Sequence, residues 1–183
     1  MRDWKYTKNP TFENHNLMKI LTLLTLSLLM LSIKCEFKGP KPSQPKLPPI
    51  TTTGENTFGC LINGELWLPK GSFPNVPALT ADWNNGGFSI NANRKTDVEF
   101  STVKLDGFTF FQPKKLHLTG DTANTYFANG YCEYHRDSTL AGEINLLYLD
   151  TINRIMSGTF WFKASASGCE TIEVTDGRFD INY

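Results

Sequence analysis

Cysteine and histidine are the residues of this 183-residue chain that could hold a metal ion. Zinc favours thiolate and imidazole ligands, and the candidates are Cys132, His135, His117 and Cys169. Cys132 and His135 are three positions apart, so in a regular strand their side chains point to opposite faces of the sheet. We therefore predict no metal site and no cofactor, and interpret these residues as structural thiols and surface histidines.

Acidic and nucleophilic residues form no catalytic motif in this sequence. A glycosidase uses two carboxyl groups that flank the scissile bond, and Asp82, Asp97, Glu99 and Glu143 could supply them, but these residues are scattered along the chain. The sequence contains no G-x-S-x-G elbow, no P-loop and no dinucleotide-binding fingerprint. We therefore predict no catalytic residue and a protein that is not an enzyme. A hydrolase whose site follows no motif is the alternative.

Tryptophan is the residue type most suited to ligand binding here. Trp67, Trp83 and Trp161 could form an aromatic platform for a sugar ring. Trp83 precedes the polar run Asn84-Asn85-Gly86-Gly87, which makes it the candidate among them for an exposed ligand contact. The alternative, which we favour, is that these side chains pack in the core or cover a sheet edge, because large aromatic residues dominate β cores.

Charge is distributed unevenly between the two ends of the chain. Residues 1–57 contain 8 Lys and Arg against 4 Asp and Glu, whereas residues 58–183 contain 10 against 14, a net charge of −4. Binding to nucleic acid depends largely on Lys and Arg that neutralise phosphates. We therefore expect no nucleic-acid partner for the acidic part of the chain.

An uncharged apolar run of 14 residues covers positions 20–33, directly after Lys19. A transmembrane helix needs about 20 apolar residues, whereas the core of a secretory signal needs about 7–15 behind a positive start. Residues 1–34 are therefore predicted to be a signal peptide. Because residues 1–17 do not resemble a compact basic start, we expect translation to begin at Met18; an unusually long basic start is the alternative.

Cys35 follows the apolar run and precedes polar residues, as does the lipidated cysteine of bacterial lipoproteins, so the segment resembles a lipoprotein signal. It departs from that pattern at Lys34, where a small residue is usual, and at Ser32, where an aliphatic residue is usual. We predict lipidation of Cys35 and anchoring to the outer membrane. The alternatives are an uncleaved membrane anchor, or cleavage nearby that leaves Cys35 as a plain thiol; each places the domain outside the cytoplasm.

Residues 36–57 contain five prolines among Lys, Ser, Thr and Gly, a composition typical of an extended tether. The chain is thus divided into a signal peptide (1–34), a lipidated cysteine with its tether (35–57) and one domain (58–183). Three cysteines remain in that domain, namely Cys60, Cys132 and Cys169. Two of the three could pair in an oxidising compartment, and the sequence does not choose which.

The domain is predicted to be all-β, an antiparallel sandwich or small barrel of roughly eight to eleven short strands. Apolar and polar residues alternate, as in Phe88, Ile90 and Ala92 against their neighbours, and no helical period is sustained. Segments that favour tight turns recur between the alternating stretches. They are Asn63-Gly64, Asn84 to Gly87, Asp106-Gly107, Asn129-Gly130 and Asp176-Gly177, of which the last is expected to join two final strands as a hairpin.

Three stretches resemble an uncharacterised family of Bacteroidetes lipoproteins. They are residues 47–64 (LPPITTTGENTFGCLING), 155–162 (IMSGTFWF) and 175–180 (TDGRFD). The resemblance implies a lipid-anchored β-domain in the envelope of a cell with two membranes, and it implies no activity and no site residues. We expect a non-catalytic module that binds a glycan or an envelope protein. A structural or assembly lipoprotein of the outer membrane is the alternative.

Overall fold

The computed structural model describes residues 18–21, 23–24, 46–71, 77–97, 99–109 and 111–183. The chain divides into two compact units, Met1–Ser43 and Gln44–Tyr183. In the first unit, residues 18–21 and 23–24 are α-helical and exposed. Cys35, with most of the predicted signal peptide and the first part of the predicted tether, lies outside the described residues. Among the described helical residues, none belongs to a helix long and apolar enough to cross a membrane.

The described residues of the second unit form β-strands and one short 3-10 helix, Arg136–Ser138, with turns and loops between them. The described residues contain eleven strands, within the predicted range. In chain order they are β1 (Thr57–Ile62), β2 (Glu65–Trp67), β3 (Leu79–Asn84), β4 (Gly87–Lys95), β5 (Phe100–Phe108), β6 (Lys115–His117), β7 (Ala123–Ala128), β8 (Glu133–Tyr134), β9 (Thr139–Asp150), β10 (Ile155–Ala164) and β11 (Ile172–Asn182).

The strands form two antiparallel sheets that pack face to face as a sandwich. One sheet has six strands in the order β2-β1-β11-β10-β9-β6, and the other has five in the order β3-β4-β5-β7-β8. The sheets do not close into a barrel, so the fold is the sandwich of the two predicted alternatives. Three of the four edge strands have only two or three residues, and short edges give other chains little backbone to pair with.

One apolar core fills the space between the sheets. Its residues alternate with polar ones along each strand because successive side chains point to opposite faces. Phe88, Ile90 and Ala92 are buried as the alternation predicts. The other buried core positions of the long strands include Val103, Leu105, Ile144, Leu146, Met156, Phe160, Phe162, Val174, Phe179 and Ile181.

The predicted turn at Asp106-Gly107 is wrong, because both residues lie inside β5. Gly107 faces the core, where a Cβ atom would lie 2.6 Å from Leu116 Cδ1 and 2.7 Å from Phe88 Cε1. Glycine is therefore needed at this position for close packing and not for a turn. An Asp-Gly pair occurs both in tight turns and in closely packed strands, so the pair alone does not distinguish the two.

The predicted hairpin at Asp176-Gly177 is also wrong, because β11 runs through it without a break. Opposite Phe160 and Phe162, the register of β11 gains one residue, and Asp176 has a positive φ of 51°. This is a β-bulge, which uses the same left-handed backbone as a tight turn. The turns at Asn63-Gly64 and Asn85-Gly86, by contrast, do join strands, with positive φ at all four residues.

The folded unit begins earlier than the sequence suggests. Residues 46–57 were assigned to the tether, but residues 51–55 lie against β11 and donate hydrogen bonds to the buried carboxylate of Asp180. Arg178 Nη1 also donates a hydrogen bond to the carbonyl of Pro48, at 3.3 Å. The second half of the proline-rich segment is thus part of the domain.

Candidate functional site

A row of polar side chains crosses the outer face of the five-stranded sheet. Asp82 pairs with Ser89, Ser89 with Asp106, and Asp106 with Asn124, so the row crosses β3, β4, β5 and β7. Adjacent strands lie about 4.8 Å apart, so the row is about 14 Å long. It presents two carboxylates and a hydroxyl on one surface, and at its end the amide of Asn124 is partly buried, with its oxygen shielded from solvent.

Phe108 lies beside this row, at the end of β5, with its side chain on the outer face. Its neighbour across the sheet is Gly87 of β4. A Cβ atom on Gly87 would be only 2.8 Å from Phe108 Cε1, so the ring occupies the space that a side chain at position 87 would fill. Phe108 remains 52% exposed. The sheet therefore holds an aromatic ring in place and leaves much of it open to solvent.

Two cavities meet at Phe108. The first, of about 500 Å³, is lined by Asp82, Asn84, Asn85, Gly87, Ser89 and Lys104. The second, of about 220 Å³, is lined by residues 121–124 and Arg136. Both are also lined by Asp106 and Phe108, so together they form a groove, which we call the Phe108 groove. The size of its larger part falls within the usual range of ligand pockets, about 300–1,000 Å³.

Ion pairs position the charged side chains of the Phe108 groove. Lys104 Nζ lies 3.2 Å from Asp106 Oδ2 on the same face of β5. Arg136 Nη2 lies 2.7 Å from Asp121 Oδ1 and donates a hydrogen bond to the carbonyl of Gly120 at 2.9 Å. Carboxylates accept hydrogen bonds, whereas Lys and Arg donate them. The groove therefore offers both acceptors and donors around one aromatic ring.

The three predicted platform tryptophans are not brought together. Trp67 is 5% exposed, and its Nε1 donates a hydrogen bond to Ser101 Oγ at 3.0 Å in the core. Trp83 is half-buried and packs against the core, with Phe111 and Tyr183 as ring neighbours at 5.8 and 6.3 Å. The structure thus places Trp83 in packing contacts, which is the alternative weighed against ligand contact.

Of these three tryptophans, Trp161 is the one that faces solvent. It is 46% exposed on the outer face of the six-stranded sheet, in a shallow groove of about 210 Å³ that Glu143 and Arg178 also line. This groove lies on the opposite side of the sandwich from Phe108 and has less than half the volume of the larger cavity there. It is a second, smaller aromatic surface.

The four carboxylates considered for a glycosidase pair are likewise separated. Asp82 lines the Phe108 groove, and Glu143 lines the groove at Trp161. Glu99 lines a third cavity at one end of the sandwich, and Asp97 is exposed between β4 and β5. In the Phe108 groove, Asp82 is exposed and Asp106 is paired with Lys104. Neither lies in the apolar surroundings that make a carboxyl group a general acid.

Cys132 and Cys169 form a disulfide, which selects one of the three pairings left open by the sequence. Neither residue can then serve as a thiolate ligand. No group of three metal-binding side chains occurs among the described residues. Cys60 is a free, buried cysteine, and burial raises the pKa of its thiol to about 12. It therefore stays a neutral thiol and is a poor nucleophile.

Sequence analysis did not single out Phe108 as a site residue. The alternation within β5 contains the signal that was needed, since Ser101, Val103, Leu105 and Gly107 point inward. The same period of two places Phe108 outward, in line with the charged residues Lys104 and Asp106.

Comparison with known proteins identifies no relative of the chain. No family model matches it, and no curated protein or solved structure matches it either. The resemblance of residues 47–64, 155–162 and 175–180 to Bacteroidetes lipoproteins therefore stays a prediction.

Proposed function

We propose that this protein is an exported, lipid-anchored envelope protein whose β-sandwich binds a glycan, without catalysis, in the Phe108 groove. The single observation that carries the proposal is the half-exposed ring of Phe108, held over Gly87 and bordered by the row from Asp82 to Asn124. A pyranose ring has an apolar C–H face and a polar rim of hydroxyl groups. An aromatic ring surrounded by donors and acceptors is complementary to both.

The energetics favour a module of modest affinity. Covering an aromatic ring removes apolar area from water, worth roughly 25 cal/mol per Å². Hydrogen bonds to charged groups contribute about 1.5–3 kcal/mol each, net of desolvation. Asp106 and Lys104 already hold each other at 3.2 Å, so a sugar hydroxyl can join an existing charged pair without leaving a buried charge alone. Affinities in the micromolar to millimolar range are expected.

The signal peptide, the lipid on Cys35 and the position at the outer membrane belong to the same proposal. An acylated Cys35 would hold the protein on the membrane, since each buried methylene contributes about 0.8 kcal/mol. The proline-rich residues that precede the folded unit would then separate the module from the bilayer. A fatty-acid analogue should label the wild-type protein in cells, and a Cys35→Ser variant that still incorporates the label would contradict the anchor.

Glycan binding is tested with the purified full-length protein in detergent on an array of envelope and dietary polysaccharides. The best oligosaccharide is then titrated calorimetrically into the wild type and into Phe108→Ala. We expect Phe108→Ala to weaken binding at least about tenfold, because stacking on the ring and burial of its area are both lost. Asp106→Asn should weaken binding less.

Matched controls locate the site. Tyr131 is almost fully exposed and lines neither cavity of the Phe108 groove, so Tyr131→Ala should leave binding unchanged. Trp83→Ala tests the position predicted from the sequence, and Trp161→Ala tests the smaller groove. If Phe108→Ala binds as well as the wild type while Trp161→Ala does not, the glycan site belongs to the six-stranded sheet. Release of shorter sugars during the titration would instead favour the hydrolase.

A further inference from the structure

The sandwich has a separate cavity at one end, on neither outer face. Its volume is about 400 Å³. We call it the end cavity, and its boundaries come from the β1–β2 turn, the end of β4, the start of β5 and the end of β7. After β2 the chain crosses toward the other sheet, where Lys70 forms an isolated bridge with Arg94. The two sheets therefore approach each other at this edge and enclose the space.

The floor of the end cavity is apolar and rigid. Trp67, Phe127 and Ile172 line it, and each is at most 5% exposed. The hydrogen bond from Trp67 Nε1 to Ser101 Oγ connects β2 of one sheet to β5 of the other. An apolar group that enters the cavity would therefore meet a preformed surface.

The rim carries opposite charges that do not pair with one another. Arg94, Glu65 and Glu99 all line the end cavity. Arg94 Nη1 donates to the carbonyl of Leu66 at 3.2 Å. Within the part of the chain that the structure describes, no carboxylate lies within 4.0 Å of Arg94, and no cation lies within 4.0 Å of either glutamate. The guanidinium thus keeps most of its five N–H donors for another acceptor.

Local hydrogen bonds hold the charged rim in position. The amide of Thr96 donates to the carbonyl of Glu99 at 2.8 Å, and the amide of Glu99 donates to Thr96 Oγ1 at 3.0 Å. These bonds close the short connection between β4 and β5 and place Glu99 on the rim. On the other side, Asn63 Oδ1 accepts a hydrogen bond from the amide of Glu173 at 2.8 Å and fixes the β1–β2 turn.

We propose that the end cavity binds a small amphipathic zwitterion, of the size of a dipeptide with apolar side chains. Arg94 would take the carboxylate, Glu65 or Glu99 would take the ammonium, and the floor at Trp67 would take the side chains. An anion alone would leave two glutamates facing it, and a cation alone would face Arg94. A ligand that carries both charges is attracted by Arg94 and by the glutamates alike. This ligand is independent of the glycan proposed for the Phe108 groove.

Three probes that differ only in their end groups test the proposal. Leu-Leu carries both charges, N-acetyl-Leu-Leu carries only the carboxylate, and Leu-Leu-amide carries only the ammonium. Titrated into the full-length protein in detergent, Leu-Leu should bind about tenfold tighter than either capped form, because each cap removes one charged hydrogen bond. Absence of saturable binding for all three probes, or equal affinity for the three, would overturn the proposal.

Variants of the rim residues identify which residue binds each charged end of the dipeptide. Arg94→Gln should bind Leu-Leu and Leu-Leu-amide equally, because the residue that distinguishes them is gone. Either Glu65→Gln or Glu99→Gln should bind Leu-Leu and N-acetyl-Leu-Leu equally. Arg94→Gln also loses a hydrogen bond to Leu66, so Arg94→Lys serves as a second variant: it retains the cation and should keep part of the preference for a free carboxylate.

Two further results separate this site from the glycan site. Phe108→Ala should bind Leu-Leu as the wild type does, whether or not any glycan binds. A preference for the free carboxylate that persists in Arg94→Gln, in a protein whose thermal unfolding matches that of the wild type, would contradict the assignment of Arg94.

Discussion

Each outer face of the sandwich carries a carboxylate, and the two carboxylates differ in their exposure and in their partners. On the six-stranded sheet, Asp180 is 1% exposed. It accepts hydrogen bonds from Thr51 Oγ1 at 2.6 Å and from the amides of Gly54 at 2.8 Å and Thr53 at 3.0 Å. On the five-stranded sheet, the side chain of Asp106 is 28% exposed and is paired with Lys104. The six-stranded face is covered at Asp180 by residues 51–55, whereas the five-stranded face is open at Asp106.

The difference shows that position on an outer face does not decide what a charged residue does. A buried carboxylate is stable only when its hydrogen bonds are complete, and residues 51–55 supply them to Asp180. Asp106 keeps unsatisfied acceptor capacity toward solvent, where a ligand can use it. We therefore assign Asp180 to stability and Asp106 to binding.

The largest effect is expected from the disulfide that connects the two sheets. Cys132 precedes β8 of the five-stranded sheet, and Cys169 precedes β11 of the six-stranded sheet, 37 positions later. Closing a loop of this length stabilises the fold by about 4 kcal/mol through the lost entropy of the unfolded chain. The double variant Cys132→Ser/Cys169→Ser should lose about that much free energy of unfolding in urea titrations. A reducing agent should not destabilise it further.

Next in size is the effect of removing the covered carboxylate. Asp180→Ala leaves the donors of residues 51–55 without their charged acceptor, so we expect the free energy of unfolding to fall by about 3 kcal/mol. Asp106→Ala is the matched control on the open face, where a change of at most about 0.5 kcal/mol is expected. Equal losses in the two variants, measured in urea, would remove the distinction between the faces.

Low pH should reduce the stabilisation that Asp180 contributes on the covered face. Burial opposes ionisation of Asp180, but hydrogen bonds from Thr51, Gly54, Thr53 and Glu55 outweigh it and hold the pKa below its ordinary value of 3.8. A lowered pKa stabilises the fold above the unfolded value, and this contribution is lost as the pH falls through the folded value. The difference in unfolding free energy between wild type and Asp180→Ala should therefore be constant above about pH 5 and shrink below pH 3.8.

Two other carboxylates with lowered pKa values also contribute to the pH dependence of stability. The amide of Asn153 lowers the pKa of Asp150, and a hydrogen bond from Lys163 lowers the pKa of Glu173. Both groups are present in wild type and in Asp180→Ala, so their contributions cancel in the difference. A difference that stays constant down to pH 2 would contradict the role given to Asp180.

The smallest effect concerns the open face. Gly87→Ala places a methyl group where the Phe108 ring lies, so the ring must move outward, at an expected cost of about 1 kcal/mol. In a Phe108→Ala background the same substitution should cost less, because the ring is absent. A double-mutant cycle of thermal unfolding measures this coupling. Additive effects would show that the ring is not held by Gly87.

Much of the fold could be predicted from the sequence because side-chain direction in a strand depends on local spacing. The alternation of Phe88, Ile90 and Ala92 with polar neighbours predicted the inner face of β4, and the all-β class followed. The same period in β5 was sufficient to place Phe108 on the outer face. The sites were not predictable in full, since Asp82, Ser89, Asp106 and Asn124 meet only through strand pairing.

The sequence by itself determined the all-β class and, along the alternating stretches, which side chains turn inward, because both are properties of a few neighbouring residues. Only the tertiary structure decided that Asp176-Gly177 is a bulge, that Cys132 pairs with Cys169, and that residues 51–55 cover Asp180. The physical reason is distance along the chain. Thr51 and Asp180 are 129 positions apart, and no local pattern specifies a contact between residues so far apart in the chain.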